Sequence, residues 1–318
     1  MDTKHQVLKA LEAQKGQPVS GARLAARLGL SRTAVWKAIS ALRDEGYTIE
    51  SQPRRGYMLP EDCDILSEEA IRLHLRHDIP LHLYDVLEST NSTAASLAMA
   101  GAPHGTTVIA GEQTAGRGRR GRSFYSPRDT GLYLSIVLEP TCDLTQSVLI
   151  TAAVAVAVAE AVDTVSGRES RIKWVNDIYL DGRKVSGTLT EALTDFESGR
   201  VSHLVTGIGI NCTTADFPDS AGPAAGSIGG TLSRSRLAAL VIDNVLDQTA
   251  HLAQRAFLDE YRRRSLVTGQ PINVYRIIGG EPEPAVAVGI DDNAGLIVRY
   301  ADGRQETLSS GEITIRLR

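Results

Sequence analysis

Apolar positions in the first sixty residues recur at helical spacing and then give way to alternation. In residues 21–42 (GARLAARLGLSRTAVWKAISAL), Leu24, Ala25 and Leu28 share one face of a predicted helix. Val35, Ile39 and Leu42, at i, i+4 and i+7, share a face of a second. Gly29 supplies the backbone freedom of a tight turn between them, and Ser31 suits the N-cap of the second helix. Small Ala25 permits a close crossing. Residues 47–51 and 57–59 then read as two short strands around a Pro53-Arg54-Arg55-Gly56 tip. Helix, turn, helix and basic hairpin together predict a winged helix-turn-helix.

Residues 65–268 mix apolar strands with helical stretches. The longest apolar run, 148–159, is rich in alanine and ends at Glu160. It is shorter than the about 20 residues that cross a bilayer, so a buried helix is expected. Residues 213–230 (TTADFPDSAGPAAGSIGG) have the composition of a mobile loop. From 271 onward, runs at 285–290, 295–300 and 312–317 are separated by Gly279-Gly280, Asn293-Ala294-Gly295, Asp302-Gly303 and Ser309-Ser310-Gly311. That spacing predicts a small β-barrel. The expected organisation is an α+β multidomain chain with boundaries at 1–62, 63–270 and 271–318.

Charge sharpens this division. The whole chain carries a formal net charge of -4, yet residues 1–62 hold ten Lys and Arg against seven Asp and Glu. A basic end on an acidic chain points to a separate DNA-facing module. Ser31, Arg32, Thr33, Trp36 and Lys37 on the second helix, with Arg54 and Arg55 at the hairpin tip, are its candidate contacts. A small helical domain for protein contacts is the competing reading. Cys63, Cys142 and Cys212 are odd in number and widely spaced, which argues against a disulfide framework or a zinc site and fits a reducing cytoplasm. The polar N-terminus shows no secretory signal.

Four segments carry candidate chemistry. GRGRRGR at 116–122 packs four arginines and three glycines into seven positions: close backbone approach together with forked, permanent cations. It lacks the G-K-[ST] of a P-loop, and the alternatives are a phosphate or adenylate loop and an RG-rich nucleic-acid tract. Glu88-Ser89-Thr90-Asn91 follows an apolar strand and opens a helix, which offers hydroxyls and free N–H groups to a polar ligand or merely caps the helix. Lys173-Trp174-Val175-Asn176-Asp177 leads to Arg183-Lys184-Val185-Ser186-Gly187; Asn176 and Asp177 suit Mg²⁺ or a nucleotide, and Lys184 suits a carboxylate. Its plain alternative is a surface turn with a solvated lysine. Gly207-Ile208-Gly209-Ile210-Asn211 is a strand with alternate glycines, a sign of close ligand approach that leaves one face bare for a flat ring.

Taken in order, Ser89-Thr90-Asn91, Gln113, GRGRRGR, Lys173-Trp174-x-Asn176-Asp177, Arg183-Lys184-x-x-Gly187 and Gly207-x-Gly209-Ile210-Asn211 resemble the BirA-type family of bifunctional biotin–protein ligases and biotin-operon repressors. The resemblance covers essentially the whole chain. It implies a winged helix, a mixed α/β ligase domain and an SH3-like barrel. It further implies biotin, ATP and Mg²⁺ as reactants, a biotin carboxyl carrier protein and operator DNA as partners, and a homodimer promoted by biotinyl-AMP. On this resemblance Lys184 and Arg119 are the catalytic residues. Biotin is held by Ser89, Thr90, Asn91, Gln113, Gly116, Arg117, Arg119, Lys184, Gly207 and Gly209. The adenylate is held by Arg119, Arg122, Phe124, Asn176 and Asn211, with Asp177 nearest Mg²⁺. Phe124 stands where the family commonly has Trp, Val175 where it has Pro, and Glu88 where it has Asp. Lipoate–protein ligase is the nearest enzyme alternative, and a ligand-sensing repressor without catalysis the alternative from another class.

Overall fold

The computed structural model describes residues 3–139, 147–194, 201–275, 280–309 and 312–315. Cys142, the Gly279 and Ser310-Gly311 turn residues and the end of the 312–317 run lie outside them. The chain forms two compact units, residues 1–76 with 231–239, and residues 77–230 with 240–318.

In the first unit, α1 (Thr3–Glu12), α2 (Gly21–Leu28) and α3 (Arg32–Asp44) enclose a core of Val7, Leu8, Leu11, Leu24, Val35, Ile39 and Leu42. The turn forms as its residues dictate. Gly29 caps α2 at φ 64, a left-handed conformation, and the Ser31 hydroxyl accepts from the Ala34 N–H at 3.1 Å. Leu28 is only partly buried. The hairpin strands are β1 (Glu50–Gln52) and β2 (Gly56–Met58). The first starts later than 47 because Tyr47 and Ile49 turn into the core and the Arg43 guanidinium takes the Ile49 carbonyl at 2.9 and 2.5 Å. Gly56, at φ +106, lies so close to the Val19 carbonyl that a Cβ there would fall 2.2 Å from it. That approach lets Val19 and Tyr57 exchange two backbone hydrogen bonds, which anchors the wing to the helices. A short α4 (Glu68–Arg72) follows.

The second unit is built on a seven-stranded sheet: β3 (Leu81–Leu87), β4 (Thr107–Gln113), β5 (Gly131–Leu138), β6 (Arg171–Lys173), β7 (Asp177–Leu180), β8 (Arg183–Thr194) and β9 (Val201–Asn211). Spatial order is β3-β4-β5-β9-β8-β7-β6; β3 and β4 are parallel and every other pair is antiparallel. Between β3 and β4 runs α5 (Thr90–Met99). The apolar run becomes α6 (Ser147–Ser166), longer than expected because the helix continues through Glu160. By length and composition it is apolar enough to cross a membrane, but Ala152 to Ala159 have no exposed surface, so it is the core helix of this unit. Two helices, α7 (Arg234–Ala250) and α8 (Phe257–Arg263), precede the last sheet.

That sheet comprises β10 (Pro271–Tyr275), β11 (Glu283–Ile290), β12 (Leu296–Tyr300), β13 (Gln305–Leu308) and β14 (Glu312–Ile315). All pairs are antiparallel, in the order β13-β12-β11-β10-β14. Among the described residues β13 and β14 do not pair with each other, so the expected barrel is an open five-stranded sheet with SH3-like strand content.

Candidate functional site

The glycine–arginine loop, the β3–α5 junction, the β6–β7 turn, β8, β9 and the 213–230 loop converge on one cavity of about 410 Å³. Its lining includes Ser89, Thr90, Asn91, Gln113, Arg117, Arg119, Arg122, Phe124, Asn176, Asp177, Lys184, Gly207, Gly209 and Asn211. Of the site residues expected from sequence in this domain, Gly116 alone is missing from it. Gly116 instead packs under the loop: a Cβ there would meet the Phe124 carbonyl at 2.3 Å and the Ser126 hydroxyl at 2.7 Å.

One end of the cavity is a hydrogen-bonding pocket. Ser89 starts α5 without spending its hydroxyl on a cap bond. The Thr90 N–H and hydroxyl lie 2.9 and 3.0 Å from Gln113 Oε1, and Gln113 Nε2 donates to Ser126 Oγ at 2.9 Å. Behind them Ser135 Oγ stands 2.7 Å from Thr90 Oγ1 and 2.6 Å from Asn91 Oδ1. Asn91 Nδ2 donates to Glu191 Oε2 at 2.9 Å. Gly207 is small because Asn91 fills the space above it; a Cβ would sit 2.1 Å from Asn91 Oδ1. Gly209 makes room for the Phe124 ring in the same way, at 2.4 Å. The alternate glycines thus admit two protein side chains to the sheet face, not a bare shelf. Phe124 is steadied by an edge-on contact with Tyr133, ring centroids 6.5 Å apart.

The arginine loop is a tight hairpin. Gly118 N–H donates to the Arg122 carbonyl at 2.7 Å, and Phe124 N–H to the Gly116 carbonyl at 2.8 Å. Arg120 takes the left-handed φ of 58 at its tip. Arg117 reaches Glu191 Oε1 at 2.5 Å, and Arg119 Nη1 donates to Asn176 Oδ1 at 3.2 Å. Burial, reinforced by the neighbouring Arg120 guanidinium, draws Arg119 below the usual arginine range. Such a cation is stabilised by any anion that joins it. Arg120 Nη1 is buried and has no protein partner.

At the other end Lys184 Nζ pairs with Asp177 Oδ1 at 2.6 Å, and Asn176 Nδ2 donates to the Thr188 carbonyl at 2.7 Å. The 213–230 loop, expected to be mobile, is laced to these strands. Lys184 N–H donates to the Ala224 carbonyl, Gly226 N–H to the Lys184 carbonyl, and Asn211 Nδ2 to the Gly226 carbonyl. Asn211 is thereby oriented with Oδ1 buried and unpartnered. Phe217 of this loop meets Tyr125 edge-on, centroids 6.5 Å apart. Asp177 is the only carboxylate among the lining residues, and Lys184 already engages it. Among the described residues no three His, Cys, Asp or Glu side chains cluster as metal ligands. Among the described residues, then, this cavity has one carboxylate and no three-ligand cage for Mg²⁺.

Separate family models match three stretches: an HTH domain over residues 3–58, the biotin/lipoate A/B protein ligase family over 83–211, and a biotin protein ligase C-terminal domain over 267–316. The bifunctional ligase/repressor BirA of Salmonella typhimurium is 31% identical over 309 residues, 95% of this chain and 94% of that protein. The chain belongs to the BirA family. BirA of Bacillus subtilis is 43% identical over 206 residues; that match spans 63% of this chain and 63% of the relative's length. Among solved structures, a biotin protein ligase from Aquifex aeolicus, in complex with biotin and ATP, superposes with a TM-score of 0.63 at 25% identity, over 74% of this chain and 98% of that one.

Within this BirA-family site, sequence reading missed Ser135, Glu191 and Tyr125, and quoted Trp174, Arg120 and Phe217 only inside their segments, with no role of their own. Ser135 is the lone serine in a buried, largely apolar strand, GLYLSIVL, and a fully buried serine needs partners. That signal was available. Glu191 gave none, since a glutamate in β8 looks like any solvated strand residue. The DNA-side candidates Ser31, Arg32, Thr33, Trp36, Lys37, Arg54 and Arg55 are all exposed, Trp36 by 59%.

Proposed function

We propose that the chain is an ATP-dependent biotin–protein ligase that also acts as a biotinyl-AMP-responsive repressor in the cytoplasm. The observation that carries the ligase reading is a single cavity with an uncharged hydrogen-bonding pocket at one end and a cationic end beside it. Biotin's ureido head matches Ser89, Thr90, Asn91 and Gln113. Its carboxylate reaches Lys184, with Arg117 closing over the chain. Arg119 and Arg122 meet the phosphates, and Phe124, Asn176 and Asn211 meet the nucleoside. A carboxylate oxygen attacks the α-phosphorus, pyrophosphate leaves, and biotinyl-5'-AMP results. Lys184 and Arg119 offset the charge that builds where two anions meet. Mg²⁺ enters as the counter-ion of ATP, with Asp177 the nearest carboxylate. A lysine amine of a biotin carboxyl carrier protein then attacks the mixed anhydride and expels AMP, so this chain supplies no nucleophile.

The decisive experiment is pyrophosphate release from ATP with biotin or lipoate as the acid. Release with biotin only is expected. Release with lipoate only makes it a lipoate ligase, and release with neither leaves a ligand-sensing repressor.

For the repressor half, residues 1–62 read operator DNA, 63–270 carry the ligase site and 271–318 complete the enzyme. The exposed helix α3 side chains fit a major groove and the wing tip fits phosphates. Each phosphate contact contributes about −0.9 to the slope of log K against log[salt]. Arg54→Ala with Arg55→Ala should flatten that slope by about 1–2 and leave biotinylation unchanged. A fluorescence titration across a salt series checks this, and a wild-type slope removes the wing from the DNA interface.

A further inference from the structure

We propose that Glu191, which does not line the cavity, is a positioning residue that tunes the pocket for a ligand bearing N–H donors. This rests on the biotin reading of the same site. Four oxygens stand in a row: Gln113 Oε1, Thr90 Oγ1, Ser135 Oγ and Asn91 Oδ1, at successive separations of 3.0, 2.7 and 2.6 Å. The two amide oxygens have no proton to give, and the two hydroxyls have one each. Three oxygen–oxygen contacts therefore share two protons. Thr90 donates its proton to Gln113 Oε1, and Ser135 has one proton for both Thr90 and Asn91; the shorter contact, to Asn91 Oδ1, takes it. Thr90 Oγ1 and Ser135 Oγ are left facing each other with no proton between them. The Thr90 N–H is already engaged by Gln113 Oε1, at 2.9 Å, and does not relieve them. Thr90 lines the cavity, so a ligand N–H that donates to its Oγ1 supplies what the row lacks.

This shortage depends on which way the Asn91 amide points. Were it reversed, its NH₂ would face Ser135 and supply the missing proton from the protein side. Two acceptors hold it as it is: the Leu189 carbonyl at 3.4 Å and the Glu191 carboxylate at 2.9 Å. The carboxylate is the closer and the charged one, and it has no proton to offer in return. Glu191 thus sets the direction of a chain that ends, two hydroxyls away, at the ligand. Its other oxygen takes Arg117 at 2.5 Å, so the effect on Asn91 must be separated from the effect on the loop.

The test is calorimetric binding of biotin and of an analogue whose ureido N–H groups are replaced by CH₂, to the whole protein and to two variants. The wild type should prefer biotin by at least about tenfold, the value of one or two hydrogen bonds. In Glu191→Leu that preference should shrink to a few-fold while ATP affinity holds, which also shows the variant is folded. In Glu191→Gln it should persist, because the new carbonyl still accepts from Asn91 although the Arg117 ion pair is gone. An unchanged preference in Glu191→Leu overturns the proposal. So does a Glu191→Gln variant that behaves like Glu191→Leu, which would assign the effect to Arg117, or a parallel loss of ATP affinity. A wild type that does not bind biotin overturns the functional reading itself and is distinguished by that.

Discussion

Lys184→Ala should form biotinyl-AMP at least about a hundredfold more slowly than wild type, the scale on which a single electrostatic contact to a transition state acts. Two effects combine. The cation that offsets two converging anions is lost, and Asp177, 2.6 Å away, loses its partner and turns its charge on the phosphates. Adding Asp177→Asn to Lys184→Ala should recover the second part and not the first. Lys184→Arg keeps the charge and should retain more activity than either. The side chain is about one-third exposed (32%), so little packing is lost and the melting temperature should hold. Single-turnover formation of radiolabelled adenylate makes the measurement. A Lys184→Ala enzyme within a few-fold of wild type ends the catalytic role given to this lysine.

The helix-turn-helix was legible because its signals are local. Gly29 and Ser31 act on their own turn, and the i, i+4, i+7 run of Val35, Ile39 and Leu42 is one helix face. The ligase site was legible as residues and less so as geometry. Gly207 and Gly209 announced close approach correctly, but sequence cannot say what approaches: here it is Asn91 and Phe124, from elements far away in the chain. Gly116 makes the same point, since a glycine that admits a backbone carbonyl looks in sequence like one that admits a ligand. The 213–230 loop read as mobile on composition, while the bonds that hold it come from Lys184 and Asn211. In the last sheet, β10 does alternate, Ile272-Asn273-Val274, but only over three residues behind a proline, and β13 is the polar QETL, so neither stood out as β11 and β12 did. Glu191 is the extreme case. Its role arises from register: β8 lies beside β9, and Gly207 pairs with Leu189, which brings Glu191 within reach of Asn91.

The second large effect joins the two halves of the chain: biotinyl-AMP should tighten self-association and operator binding together, by about 1–3 kcal/mol of coupling. The physical means lies in the cavity walls. The arginine loop and the 213–230 loop are glycine-rich and lose much conformational freedom when fixed. Both loops are tied to the strands, yet two groups beside them are buried without protein partners: Arg120 Nη1 at the tip of the arginine loop, and Oδ1 of Asn211, the β9 residue that holds the 213–230 loop through the Gly226 carbonyl. A nucleotide that satisfies such groups orders both loops, and ordering made in advance is an advantage to any interface that uses the same loops. The family resemblance gives that interface as a homodimer through the ligase domain. On that reading two winged helices would face two half-sites, and operator affinity should follow dimerisation. Sedimentation with and without biotin plus ATP, paired with an operator titration, measures both. Asn211→Ala should weaken the response in each by a similar factor, because the coupling is reciprocal. Self-association that tightens with no change in operator affinity would separate the dimer from repression. Adenylate binding that alters neither would leave a ligase with an unregulated DNA-binding head.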